Sequence, residues 1–473
     1  MDPIVVWFRQ DLRLADNPAL IHAAQSGRPV ICLYILDDET PGRWKMGGAS
    51  RWWLHRSLDA LSEALHEKGA RLILRSGNAA SVLDKLVEET DAAAVVWNRC
   101  YEPFAIQRDT AIKKSLGEHG IDVQSFNASL LFEPWEIKTQ GGTPFRVFTP
   151  FWRACNTAPS PTKPQHAPGR IDGYSKRLAS DALKDWRLLP HKPNWAAGFE
   201  DEWTPGEDGA QARFKAFLKS KADYANGRDV PSEDATSRLS PHLHFGEISP
   251  RQIWHGTHSS TTRNAEKFLS EIGWREFSHH LLFHNPAMPE QALDKRFAEF
   301  PWREARSDFK AWTKGQTGIP IVDAGMRQLW QTGNMHNRVR MIAASFLIKH
   351  LRIDWRRGEE WFWDTLVDAD LAANAQNWQW VAGCGADAAP FFRIFNPVLQ
   401  GVKFDGEGEY VRRFVPELAK LPSKFIHKPW DADAATLKAA GVELGRNYPK
   451  PLVDLQKGRD AALAAFRELS GSA

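Results

Sequence analysis

The 473-residue sequence has few cysteines, few tyrosines, hardly any net charge and no long apolar run, and each shortage closes off a class of protein. Cys32, Cys100, Cys155 and Cys384 lie far apart, with no C-x-x-C pair and no short metal-ligand spacing. That argues against a disulfide framework or an iron–sulfur site, and no metal is expected. No apolar stretch is long enough to cross a bilayer. The chain also passes from Asp2-Pro3 straight into Ile4-Val5-Val6-Trp7-Phe8 without a basic leader, so a cytoplasmic protein with no membrane partner is expected. The formal net charge is only +3, so a polyanion has to be met by a local patch. One exists from Arg338 to Arg357, where Arg338, Arg340, Lys349, Arg352, Arg356 and Arg357 are set against the single acid Asp354. A solvated face would give the same run.

What the sequence does have is tryptophan, 21 against 6 tyrosines, with many of them beyond position 270. A buried indole N–H wants a partner, so this many indoles point to stacking or redox work, or else to a Trp-rich core. Charged residues at 25% and hydrophobic ones at 42% describe a soluble globular chain, and the length calls for two or more domains.

The first part alternates two periods. Ile4–Phe8, Val30–Leu36, 71–75, 94–97 and 123–126 read as strands; 18–25, 50–68, 79–89 and 106–120 read as helices. Strict alternation predicts a doubly wound parallel five-stranded sheet in an α/β domain over 1–130. No G-x-G-x-x-G follows the first strand, so a standard dinucleotide fingerprint is missing. Trp44-Lys45-Met46-Gly47-Gly48 with Arg51-Trp52-Trp53 could line a pocket for an aromatic ligand, or form a surface loop over a buried helix. Pro159, Pro161, Pro164 and Pro168 mark an inter-domain linker over 131–208 that crosses the surface. From about 209 to 473 the period is helical, which predicts an all-α domain.

The helical half carries the chemistry. Asp370 is a predicted N-cap before a small, apolar first turn, Leu371-Ala372-Ala373, and Asn374 and Trp378 follow it at i+4 and i+8; a capped core helix fits equally. Thr236-Ser237-Arg238-Leu239-Ser240-Pro241 offers hydroxyls and an arginine at a helix start with Ser240 as N-cap, a natural phosphate seat that capping alone also explains. Glu271, Trp274 and Arg275 share one face, as an internal ion pair against an indole would. Asn337, Arg340 and Met341 share another. Carboxylates, arginines, an amide, hydroxyl-lined helix starts and indoles together suit a large, flat, anionic cofactor such as a flavin dinucleotide.

These residues also carry a resemblance. Trp7 to Arg13 with Asp16-Asn17, Thr236 to Pro241, Trp274 to Phe277, Met335 to Arg338, Asp368 to Trp380 and Phe392 to Pro397 resemble, in order, motifs of the photolyase and cryptochrome family, nearest to its microbial (class I/III-like) cyclobutane pyrimidine dimer photolyases. The resemblance implies FAD held in a U shape in the helical domain, with Tyr224, Thr236, Ser237, Arg238, Leu239 and Ser240 around its phosphates. Arg275, Asn337, Arg340, Asp368 and Asp370 would contact the isoalloxazine and its linkers, and Asn374 would face N5 as the neutral amide that repair enzymes carry where plant-type photoreceptors carry Asp.

It further implies double-stranded DNA as partner, with the pyrimidine dimer flipped out against Trp274 and Trp380 and contacted by Glu271, Asn337 and Met341. Met341 stands where (6-4) enzymes place a catalytic His. Arg338, Lys349, Arg352 and Arg393 would hold flanking phosphates. Trp378, Trp355 and Trp302 match the family's electron-hopping triad. The antenna is where the pattern departs: Met46-Gly47-Gly48 and Pro103-Phe104-Ala105 replace the residues that hold 5,10-methenyltetrahydrofolate in folate-binding relatives. A differently bound folate is the first expectation, a deazaflavin the second. A monomeric, light-driven lyase is expected. The alternatives are a photoreceptor without repair, disfavoured by Asn374, Glu271, Trp274 and Met341, and a dark flavoprotein that binds nucleic acid.

Overall fold

The computed structural model describes residues 1–219, 223–258 and 262–471. Five parallel strands, β1 (Ile4–Phe8), β2 (Val30–Leu36), β3 (Leu72–Ser76), β4 (Ala94–Asn98) and β5 (Asp122–Phe126), form one sheet in the order β3-β2-β1-β4-β5. Ile4 of β1 registers with Val30 on one side and Ala94 on the other. Alternation explains the two cores: Ile4, Val6 and Phe8 pack with α1 (Pro18–Gln25) and α2 (Gly48–Glu67), whereas Val5 and Trp7 pack with α3 (Ala79–Thr90) and α4 (Pro103–Glu118). The predicted boundaries hold within two residues, except that α4 starts at Pro103, whose fixed φ favours the first helical position.

Two expectations need correcting. The linker read over 131–208 does not merely cross the surface: after the prolines, Ile171 N donates to Lys68 O, Val30 N to Asp172 O and Asp181 N to Leu74 O, so residues 171–181 are laid along the sheet at β2 and β3. A helix, Phe148–Thr157, also precedes the prolines. The Trp44–Gly48 loop is no open aromatic pocket either, because it is packed against the helical half. Trp363 Nε1 donates to Lys45 O, Gly48 N donates to Asp364 Oδ1, both at 2.8 Å, and a Cβ on Gly47 would fall 2.5 Å from Trp363 O.

Doubly wound sheets bind ligands where the strand order reverses, here between β1 and β4. That crevice is filled. Asn98 Nδ2 donates to Asp11 Oδ2 (2.5 Å) and Asn17 Oδ1 (2.7 Å), and Gly246 of the helical half presses on Asp11, where a Cβ would meet Cα at 2.6 Å. Any site for a large ligand has to lie elsewhere.

The helical half contains α5 (Arg263–His284), α6 (Pro320–Thr332), α7 (Asn337–Ser345) with a π-helical turn Phe346–His350, α8 (Trp355–Thr365), α9 (Leu371–Ala382), α10 (Pro397–Phe404) and α11 (Leu455–Gly471). Asp354 caps α8 and Asp370 caps α9, whose Ala373 N donates to Asp370 Oδ1 at 2.8 Å. α8 and α9 pack closely at Gly358, against the Trp378 ring.

Candidate functional site

α5, α7, α9 and the segment 224–240 enclose a cavity of about 620 Å³. The floor is α9. Its cap Asp370 meets His279 Nε2 at 3.1 Å and His244 Nδ1 at 3.9 Å. Burial would push that carboxyl up, but His279, His244 and Arg275 hold it well below the usual carboxylate range, so it is an anion. One turn on, Asn374 Nδ2 donates to Glu359 O (3.0 Å). A carbonyl partner fixes the amide's orientation and leaves Oδ1 as the acceptor for whatever occupies the cavity. Trp378 follows, only 2% exposed, with Phe362 and Trp312 at ring distances of 5.0 and 6.3 Å.

Asp368 lies just before the cap. It accepts from Ser240 Oγ (2.6 Å) and from Arg340 (3.0 Å), and Arg340 also reaches Met335 O and Asn334 Oδ1. Ser240 is therefore not the N-cap read from the sequence. It is the first residue of a five-residue helix, Ser240–His244, and its hydroxyl is spent on Asp368. Thr236 and Ser237 line the cavity beside Tyr224 and Leu239, while Arg238 is already paired with Glu202 and Asp234.

On the α5 wall Trp274 stacks on Phe148 at 3.8 Å and 10°. Glu271 does not pair with Arg275, the bland possibility, but with Arg228 and with Lys267 (3.1 Å), both on Oε1. Arg275 donates to Ser129 O (2.6 Å) and sits 3.6 Å from buried Glu276, whose carboxyl burial pushes up to about 7 despite Arg275, His279 and two backbone N–H groups. On α7 Asn337 is exposed, Arg338 pairs with Asp229 (2.9 Å) and approaches the Met341 sulfur (3.9 Å), and half-buried Trp380 lines the cavity from α9.

Among the residues singled out from the sequence, Arg393 lies outside the lining, exposed on the loop after α9 beside Phe392, which is 66% exposed. Trp355 is wholly buried on α8 and Trp302 half-buried, neither indole N–H with a partner among the described residues. Lys349 contradicts its expected role. It is 1% exposed and its Nζ donates to Ala382 O and Phe391 O, so the amine is not at the surface where a phosphate would be met. Arg352 is partly buried in a left-handed conformation.

Sequence reading missed Arg228 and Lys267. Lys267 is i−4 to Glu271 and could have been found; Arg228 is 43 residues away and left no local signal. It also missed Gln376 and His336, which line the cavity and carry buried nitrogens without partners among the described residues, and His244, which lines it beside Asp370. Unmet polar nitrogens, six arginines and four indoles lining a cavity of this size fit a flat anionic dinucleotide such as FAD.

Comparison with known proteins agrees. Residues 4–168 match the family described as DNA photolyase, and residues 268–468 the FAD binding domain of DNA photolyase. The chain is 54% identical over 469 residues to a deoxyribodipyrimidine photo-lyase of Agrobacterium fabrum, covering 98% of this chain and 97% of that one. It is 40% identical over 497 residues to cryptochrome-2 of Arabidopsis thaliana, covering 98% and 78%. A crystal structure of a bacterial class III photolyase from Agrobacterium tumefaciens superposes with a TM-score of 0.97 at 54% identity, covering 100% and 98%. By its two halves, its cavity and these likenesses, the chain belongs to the photolyase and cryptochrome family.

Proposed function

We propose that this chain is a light-driven DNA repair enzyme that splits cyclobutane pyrimidine dimers, with FAD as cofactor and a flipped-out dimer in double-stranded DNA as substrate. One observation carries it: Glu271, Trp274, Met341 and Trp380 line the same cavity as Asn374 and Trp378. Bound reduced FAD supplies an electron donor that light can excite. The chain does the rest. Arg275, Arg340, Asp368 and Asp370, with the Tyr224 to Ser240 segment, hold the cofactor. Asn374 offers a neutral acceptor where a carboxylate would add charge. Trp274, backed by Phe148, and Trp380 stack the paired pyrimidines, while Met341 and Asn337 close the pocket without the histidine that (6-4) chemistry requires.

Glu271, paired with Arg228 and Lys267, accepts from the bases. Exposed Phe392 fills the space the flipped bases leave, and Arg338 and Arg393 hold the flanking phosphates. Trp302, Trp355 and Trp378 bring in an electron from the surface. A 5,10-methenyltetrahydrofolate antenna is our first choice and a deazaflavin the second; the closed crevice between β1 and β4 argues for a seat outside it. We read the chain as a cytoplasmic monomer; no helix among the described residues is long and apolar enough to cross a membrane.

The test is a dimer-containing oligonucleotide incubated with the purified protein under blue light and in darkness. Dimer loss only in light is the expected result. Intact dimers in light, with flavin that still bleaches, would instead identify a photoreceptor.

A further inference from the structure

The basic residue that the structure removes from the DNA surface has another use. Lys349, in the π-helical turn that follows α7, lies 1% exposed in a site with no carboxylate among its charged neighbours. Its Nζ donates to Ala382 O (3.3 Å) and Phe391 O (3.0 Å) and stands 3.6 Å from the centre of the Phe391 ring. Ala382 is the last residue of α9, and Phe391 ends the loop that follows it. One amine therefore joins both ends of the loop 383–390. Phe391 is itself anchored by stacking on Phe466 (4.6 Å, 9°), and the chain leaves the core immediately after it to expose Phe392 and Arg393. Midway along the loop Asp387 Oδ2 accepts from the N–H of Phe148, the ring that backs Trp274.

We propose that Lys349 is a positioning residue for DNA binding: by clipping the loop 383–390 at both ends it fixes where Arg393 emerges and how Phe148 backs Trp274, and so sets lesion affinity without touching DNA. This rests on the repair reading above. Burial pushes the amine down to about 7. The titratable groups around it are neutral or already paired. The Cys384 thiol is pushed up to about 12 and His350 down to about 4; behind Cys384, Asp294 pairs with Arg296 and Arg356 with Asp354. When the loop opens, the amine meets water and regains its ordinary affinity for a proton. Opening is therefore favoured at lower pH, and the closed loop tightens as pH rises above 7.

The first test needs no DNA. Amide exchange of residues 383–391 in the flavin-loaded protein, corrected for intrinsic rates, should show opening falling by roughly tenfold per pH unit from about 7.5 to 9. A Lys349→Met variant should show no such trend. A flat wild-type profile overturns the proposal, and this readout stands even where K349M retains no flavin.

The second test measures dissociation of a dimer-containing duplex. K349M should weaken binding about tenfold, yet add little in an Arg393→Gln background, because the two side chains act through one loop. Wild-type affinity in K349M, or losses that add in full, would refute the clip. Light-dependent dimer loss by the wild-type protein tests the repair reading separately, so the two failures are distinguishable.

Discussion

Gly358→Ala should destabilise the flavin-bound protein while leaving the free protein nearly unchanged. Gly358 lies inside α8, where alanine would ordinarily stabilise by about 1 kcal/mol. Here a Cβ would fall 2.5 Å from Trp378 Cζ3, nearer still to Cη2, and 2.8 Å from Leu347 Cδ2. The indole would have to retreat by roughly 1 Å or more to reach the ~3.5 Å at which carbon contacts become favourable. Phe362 and Trp312 block its other sides, so the remaining direction is into the cavity. Overpacking costs about 1–3 kcal/mol where no such escape exists.

In the empty cavity the ring shifts and the propensity gain offsets most of the strain; with flavin in place the cavity is closed to it, and the strain appears as lost affinity. The expected result is an unfolding free energy of the apoprotein within about 1 kcal/mol of wild type, with flavin dissociation raised on the order of tenfold, which is 1.4 kcal/mol. Urea unfolding of the apoprotein and flavin fluorescence titration measure the two. A variant more stable than wild type that holds flavin equally well would refute the packing of Trp378 on α8 and the use of this cavity.

Four further outcomes are expected. Glu276→Gln should flatten the pH dependence of stability. A folded carboxyl at about 7 against an unfolded one near ~4.3 contributes stability that is full below about pH 4 and lost as pH rises through 7, on the order of 3 kcal/mol as an upper bound; urea midpoints from pH 4 to 8 that are equally steep in the variant would contradict this. Asn374→Asp would set a carboxylate against Glu359 O and cost about 1–3 kcal/mol at pH 7, relieved as pH falls and the new carboxyl takes up a proton; an unchanged urea midpoint at pH 7 would show that the amide's hydrogen bond carries no weight. Trp378→Phe should stop light-driven reduction of oxidised flavin, followed by absorbance in the presence of an external reductant, while pre-reduced enzyme still repairs; normal photoreduction would remove the triad from the account. Glu271→Gln and Arg228→Met should each weaken dimer binding by about tenfold and no more in combination, because they form one unit; losses that add would show that Arg228 does not orient Glu271.

The sheet was legible because its signals are local, short apolar runs with polar punctuation between helical periods; the structure adds Asn17 and Asn78 as the caps of the first and third helices. The cap at Asp370 and the face it shares with Asn374 and Trp378 were legible for the same reason, since helix geometry alone puts i, i+4 and i+8 together. What failed depended on contacts distant in sequence. Lys349 looks like part of a basic stripe from 338 to 357, but the π-helical turn and the returning strand of chain at Phe391 bury it. The Gly47-Gly48 loop looks like a ligand cradle because its glycines do accommodate something close: α8 at Gly47 and the Trp195 ring at Gly48. Ser240 has the composition of a cap, yet its hydroxyl is claimed by a carboxylate 128 residues later.

On the proposed function, the pairing of Glu271 explains how one carboxylate can hold two cations and still be free to recognise a base from a half-buried wall. Both cations, Arg228 and Lys267, approach the same oxygen, Oε1. A carboxylate has lone pairs on two oxygens, so fixing one leaves the other free to accept N–H donors from a ligand. Breaking the pair to reach a base would leave an arginine and a carboxylate both partly desolvated and unsatisfied, a cost that can reach several kcal/mol. Recognition through Oε2 avoids that cost. The lysine is one helical turn from Glu271, while the arginine comes from the short helix Tyr224–Gly227 and its C-cap, the same segment that brings Tyr224 to the cavity. On the proposed reading, the element that would hold the cofactor's phosphates also orients the acid that would read the lesion, which would couple cofactor binding and substrate recognition through one turn of chain.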